Sequence, residues 1–399
     1  MAYKVGILTL FKSNNYGTFL QCYSLAKELM KYKDLKVEVI NCASQKSEKC
    51  QFLSVRDPYN KINSIKTLIR YLKLRNIAKK KLPLSKKSFT SDNYEKAINF
   101  INNQNYDFIV AGSDEIWKIL PEYSFPNMYW PNHKIKARKL GYAISANRTD
   151  FSLFSNEDKN FISDMLRTFE YLGIRDNTTI EQLSMFDNTV NFQKNPDPAF
   201  LYEFENTPNL ENKLIKKYKL DLQKPIIGVT MRNSALGKAI VEKFGSKYEI
   251  VSIFRSNPYI KNYIYDLDYF EWARVFSYFS GIVTDLYHGT IFSIKNGTPF
   301  ISVDDSELYL RYPGKIEDLL GEVGLRDNYF NMKSENFDID LMLEKLQFNI
   351  ETREQQYQIM QNICEEKKKE AKSCIAQIVK IITDSRYQKI TEELNTTLY

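Results

Sequence analysis

His133 and His288 are the only imidazoles in the chain, and imidazole is the side chain whose charge changes near neutral pH. His288 stands in Thr284-Asp285-Leu286-Tyr287-His288-Gly289-Thr290, where an apolar run ends in a polar turn and helical spacing resumes. That places it near a helix N-terminus, where the dipole favours negative charge. Gly289 and Thr290 add N–H groups and a hydroxyl suited to a phosphate or carboxylate. A lone histidine is equally at home as a satisfied structural residue, and both readings stand at this point. His133 lies in a polar Trp-Pro-Asn-His stretch that reads as a loop on the substrate side of a site or on the plain surface.

Four other segments carry polar groups where strands or helices should end. Ser13-Asn14-Asn15-Tyr16-Gly17-Thr18 bares N–H groups that attract anions, or simply caps and turns the chain. Ala111-Gly112-Ser113-Asp114-Glu115-Ile116-Trp117 puts Ser113 and Asp114 where they cap a helix or bind hydroxyls. Tyr142–Arg148 sets small residues at a strand end, and Gly173-Ile174-Arg175-Asp176 delivers an arginine, structural or anion-binding. Arg175, Arg232, Arg311 and Lys315 fall near predicted strand ends or cleft loops, and guanidinium forks match carboxylates and phosphates. The sequence lacks GxGxxG after its first strand, and it lacks GxxxxGK[ST], HExxH and GxSxG, which disfavours dinucleotide, P-loop, zincin and α/β-hydrolase chemistry.

The elements that must hold these residues follow a βαβ rhythm. Lys4–Leu10, Lys36–Cys42, Tyr106–Ala111, Leu140–Ser145 and Tyr171–Ile174 read as buried strands, with a helix over Gly17–Lys31. Residues 206–224 are polar and break the rhythm. It restarts with strands at Pro225–Met231, Glu249–Phe254, Gly281–Thr284 and Pro299–Val303, and helices at Ala235–Phe244 and Tyr269–Phe279. Glu351–Thr383 has neither Gly nor Pro and reads as one long helix. The expected architecture is α/β with two Rossmann-like domains, at 1–205 and 225–345, joined by a 206–224 linker. A helix at 350–385 either packs back on the first domain or mediates self-association. Ligands of such halves bind beyond the strands' carboxyl ends, in the cleft between them.

A chain of 399 residues that is 43% apolar and 14% aromatic can bury large cores and need not be disordered. Its five cysteines form no CxxC pair and suit a reducing compartment. The first apolar run is too short for an export signal, and no stretch approaches a membrane span. A cytoplasmic protein is therefore expected. The net charge is +7, and much of the excess is local. No acidic residue occurs between Asp57 and Asp92, while ten Lys and Arg lie between Lys61 and Lys87. Ile65, Leu68, Ile69 and Leu72 give this segment helical spacing. It serves as a solvated face or as a basic amphipathic helix on anionic lipid; nucleic acid is disfavoured because no nucleic-acid module accompanies it.

Taken together, Asn14–Gly17 (NNYG), Asp107–Trp117 (DFIVAGSDEIW), Tyr142–Asn147 (YAISAN), Gly173–Asp176 (GIRD), Asp197–Leu201 (DPAFL) and Thr284–Ile301 (TDLYHGTIFSIKNGTPFI) resemble the polysaccharide pyruvyl transferase family. The resemblance spans about residues 4–325. It implies a GT-B-like fold and transfer of the enolpyruvyl unit of phosphoenolpyruvate to a sugar of a cell-surface glycan or its lipid-linked precursor. A pyruvate ketal forms and phosphate leaves, with no metal or cofactor. It places the motif histidine, an acid–base or donor-binding residue, on His288. Many members carry an arginine shortly before it, whereas Leu286 and Tyr287 stand here. The remaining expectations join this resemblance to the residue chemistry. Arg175, Arg232, Gly289, Thr290, Arg311 and Lys315 are expected to bind the donor. Ser13, Asn14, Asn15, Tyr16, Gly17, Ser113 and Asp114 are expected to bind the acceptor, and the basic helix to touch the inner membrane surface. A GT-B nucleotide-sugar glycosyltransferase and a non-catalytic glycan-binding homologue are the alternatives.

Overall fold

The computed structural model describes residues 2–119, 125–147, 149–310 and 312–397, with side chains up to Asp384 except Leu308. The strands are β1 (Tyr3–Leu8), β2 (Leu35–Val39), β3 (Cys42–Ala43), β4 (Phe89–Thr90), β5 (Phe108–Ala111), β6 (Arg138–Ile144), β7 (Phe169–Ile174) and β8 (Phe192–Lys194), followed by β9 (Ile226–Val229), β10 (Glu249–Ile253), β11 (Asn262–Ile264), β12 (Gly281–Thr284), β13 (Phe300–Asp304) and β14 (Tyr329–Asn331). The helices are α1 (Tyr16–Leu29), α2 (Gln45–Leu53), α3 (Lys61–Lys81), α4 (Tyr94–Asn102), α5 (Asn156–Leu166), α6 (Asn177–Ser184) and α7 (Leu210–Lys216), then α8 (Ser234–Phe244), α9 (Tyr269–Val275), α10 (Tyr287–Asn296), α11 (Lys315–Glu322), α12 (Ile339–Glu351) and α13 (Arg353–Thr397).

Two parallel six-stranded sheets, in the orders β2-β1-β5-β6-β7-β8 and β11-β10-β9-β12-β13-β14, form two Rossmann-like halves. Their central strands are short and largely apolar, as strands covered on both faces by crossover helices must be. Helix starts are fixed locally: Asn15 accepts from the Gly17 N–H at α1, and Asp268 and Glu271 form a reciprocal capping box at α9. The polar 206–224 segment contains a helix, α7, anchored by buried Leu210 and Leu214.

The halves meet through α1 and α9. Tyr16 stacks on Trp272 at 5.1 Å between ring centroids and Phe19 on Tyr269 at 3.8 Å. Long α13 crosses both halves, lying against α10, α1 and Pro198–Leu201. No helix among the described residues is long and apolar enough to cross a membrane.

The basic segment folds as α3, with Arg70, Tyr71, Leu74 and Ala78 turned inward. Arg70 Nη1 donates to the Phe254 carbonyl at 2.6 Å, and Lys73 Nζ lies 3.1 Å from Asp266 Oδ1. Two charges of this helix therefore tie the halves together, Arg70 from a buried position and Lys73 from a partly exposed one.

Candidate active site

Both sheets point their carboxyl ends at one cavity of about 760 Å³. From the second sheet, the chain after β9 brings Arg232, that after β10 brings Arg255, and that after β12 brings Asp285 to His288. The first sheet supplies Lys12 to Asn15 after β1, Asp114 and Glu115 after β5, and Asn147 after β6. Thr230 ties the second set together, its hydroxyl donating to Asp285 Oδ1 at 2.8 Å and lying 3.0 Å from Thr284 Oγ1.

His288 is in the first turn of α10, whose N-terminus has no side-chain cap among the described residues, so its dipole and N–H groups remain available to an anion. The imidazole is 3% exposed, lies on the cavity wall, and sits with Nε2 3.5 Å from Asp197 Oδ2. Asp197 in turn accepts from Arg175 Nη1 at 2.8 Å. Burial opposes ionisation of Asp197, but His288 and Arg175 outweigh it and hold the carboxyl well below the usual range. The ring packs against the start of α1, where a Cβ on Gly17 would lie 2.0 Å from His288 Cγ. The glycine of NNYG and the histidine of YHG are thus two sides of one contact.

Cations surround the remainder of this wall. Burial, then the neighbouring Arg255, pushes the Arg232 guanidinium pKa down, and its buried Nε has no hydrogen-bond partner among the described residues. Arg70, 3% exposed, reaches the same cavity from α3, its Nε also without a hydrogen-bond partner among the described residues. Arg255 is paired with Asp285. Burial likewise lowers the pKa of Lys12, with Glu48 partly offsetting it. An anion entering here would relieve repulsion among fixed positive charges. At the rim, Lys315 of α11 binds Glu115 of the opposite half, which also accepts from Lys118 at 2.9 Å and Asn147 at 2.8 Å.

The structure gathers His288, Arg232, Lys315, Ser13, Asn14, Asn15 and Asp114 on the cavity wall. Other expected residues sit behind it. Arg175 is withdrawn between Asp197 and the Tyr287 ring, 4.6 Å from its centroid, so it supports the histidine from below. Thr290 spends its hydroxyl on Ser302, at 2.7 Å, and Gly289 lets the helix close against Thr284. Tyr16 is core, donating to the Leu267 carbonyl at 3.2 Å. Ser113 is fully buried on Gln21, and Gly17 makes room for His288. Arg311 lies outside the described residues. His133 is exposed.

Sequence reasoning missed Arg255 and Arg70. The first stood in plain view as the first cation after the Glu249–Phe254 run. The second was masked by nine other cations in the same segment. Together with Arg232 they bring three guanidinium groups to the cavity wall.

Two facing Rossmann-like domains with the site between their strand ends define the GT-B class, and solved structures agree. The chain is similar to UDP-GlcNAc 2-epimerase from Neisseria meningitidis bound to UDP-GlcNAc (12% identity, 95% of this chain and 99% of that one, TM-score 0.56). It is also similar to a glycosyltransferase from Rickettsia africae (11%, 96% and 98%, TM-score 0.54) and to Glycyrrhiza uralensis UGT73P12 complexed with glycyrrhetinic acid 3-O-monoglucuronide (9%, 100% and 99%, TM-score 0.52). No curated protein matches the sequence. The family model for polysaccharide pyruvyl transferase matches residues 15–307, and the chain belongs to that family.

Proposed function

We propose that the protein moves the enolpyruvyl group of phosphoenolpyruvate onto a sugar of a cell-surface glycan or its lipid-linked precursor, forming a pyruvate ketal and releasing phosphate. The observation that carries this reading is the convergence of Arg232, Arg255 and Arg70 with the uncapped start of α10 and His288 on one cavity wall. A small donor bearing both carboxylate and phosphate needs several cations at short range, and a hydroxyl-rich acceptor suits the opposite wall of Ser13, Asn14, Asn15 and Asp114. Protonation of the donor's methylene carbon leaves positive charge on the adjacent carbon, which a sugar hydroxyl attacks with loss of its proton. A second hydroxyl then displaces phosphate and closes the ketal. His288 is the proton carrier or phosphate partner in this scheme, and Asp197 fixes its orientation from behind.

The test is phosphate release from phosphoenolpyruvate in the presence of a panel of free and lipid-linked glycans. Release with at least one acceptor, cut about 10²–10⁴-fold by His288→Gln, is expected. A thermal shift by UDP-sugar with none by phosphoenolpyruvate, and no phosphate release, would reject the donor assignment in favour of glycosyl transfer.

A further inference from the structure

Helix α3 is amphipathic in an unusual sense: its outward side is the more aliphatic one. Ile62, Ile65, Ile69 and Leu72 are 61, 60, 53 and 58% exposed. Steps of three, four and three residues place them in one stripe about 15 Å long. Phe52 and Leu53, at the end of α2, are equally exposed, and Phe52 lies edge-on against Tyr71 of α3. Single exposed aliphatic residues are ordinary, whereas a continuous row marks an interaction surface.

Charge identifies the occupant. Lys61, Lys79 and Lys80 are exposed beside the stripe, and no ion pair among the described residues engages them. The 34 residues from Pro58 to Ser91 contain no acid. Two copies meeting stripe to stripe would bring these lysines together with no carboxylate in the segment to separate them. A surface that is apolar beneath and anionic above accommodates both features. We propose that the exposed face of α3, with the end of α2, docks on an anionic lipid bilayer. Leu53, Ser54 and Arg56 connect this face to the cavity and line it, so the docked molecule holds its site beside the headgroups, where a lipid-carried acceptor would lie. Docking goes beyond the donor chemistry and does not depend on it.

Sedimentation of the full chain with vesicles decides the matter. Binding is expected to mixed phosphatidylglycerol–phosphatidylcholine vesicles, to weaken in high salt, and to be nearly absent with phosphatidylcholine alone. The double variant Ile65→Glu with Ile69→Glu should cut the bound fraction at least tenfold with an unchanged circular dichroism spectrum, because both side chains are exposed. Lys79→Glu with Lys80→Glu should weaken binding by a smaller factor. Absence of wild-type binding, or equal binding by the isoleucine variant, would overturn the proposal. So would a wild-type dimer that the isoleucine variant splits without any vesicle binding. Phosphate release from phosphoenolpyruvate with a free glycan is read separately and can succeed or fail independently.

Discussion

At the scale of single residues, Gly17 and His288 are one device. The imidazole occupies the volume a side chain at position 17 would take: a Cβ there would meet three ring and stem atoms of His288 at 2.0–2.3 Å. Gly17→Ala must therefore push the ring away from Asp197 or lift the first turn of α1. Overpacking of this kind costs about 1–3 kcal/mol. The predicted outcome is a modest fall in melting temperature with a loss of turnover of at least tenfold, since the histidine moves while the fold survives. Wild-type turnover at an unchanged melting temperature would show that the contact has no bearing on the site. Arg175 and Thr290 carry the complementary lesson. Their residue types suit an anion, but Asp197 and Ser302 hold them inside the protein.

At the scale of elements, the sequence displayed the central strands clearly because parallel strands buried on both faces must be short apolar runs. It displayed α10 equally well, through the strand-to-helix turn around His288. The short edge strands β8, β11 and β14 passed unnoticed, since three half-covered residues carry no readable period. The orientation of α3 was also hidden. Helical spacing of Ile65, Ile69 and Leu72 identifies a helix but not which side faces inward, and only the partners Phe254 and Asp266 settle that. The α1–α9 contact was beyond reach for a similar reason, being formed by residues about 250 positions apart. Phe19 tests it. Its ring is fully buried and stacks on Tyr269 across the two halves. Phe19→Ala should destabilise the protein by about 3–5 kcal/mol, read as a lower urea midpoint by both near- and far-ultraviolet dichroism. A loss below about 1 kcal/mol would mean that this contact closes around the void and contributes little to joining the halves.

At the scale of the whole molecule, the cleft is held at its rim by charges from opposite halves, Lys315 with Glu115 and Lys194 with Asp318, the latter at 2.6 Å. Burial works against the Glu115 carboxylate, but Lys315 and Lys118 more than compensate, so its folded pKa lies well below the ordinary 4.5. The sign follows from linkage. A carboxyl with a depressed folded pKa adds stability that is fully present above the unfolded value and is lost only as pH falls through the folded one. The rim contact should therefore persist unchanged from neutral pH to the unfolded value near 4.5 and fail in stronger acid. Glu115→Gln removes that charge at every pH and leaves Lys315 and Lys118 facing each other. Hydrogen–deuterium exchange at neutral pH should then quicken in 10–16 and 285–290, the two walls of the cavity, while the central strands stay protected. The wild type should show the same local quickening only below the unfolded carboxylate value. Equal exchange in the variant and the wild type at neutral pH would assign closure to the aromatic α1–α9 seam alone and leave the Glu115 bridge as a positioning contact for Lys315.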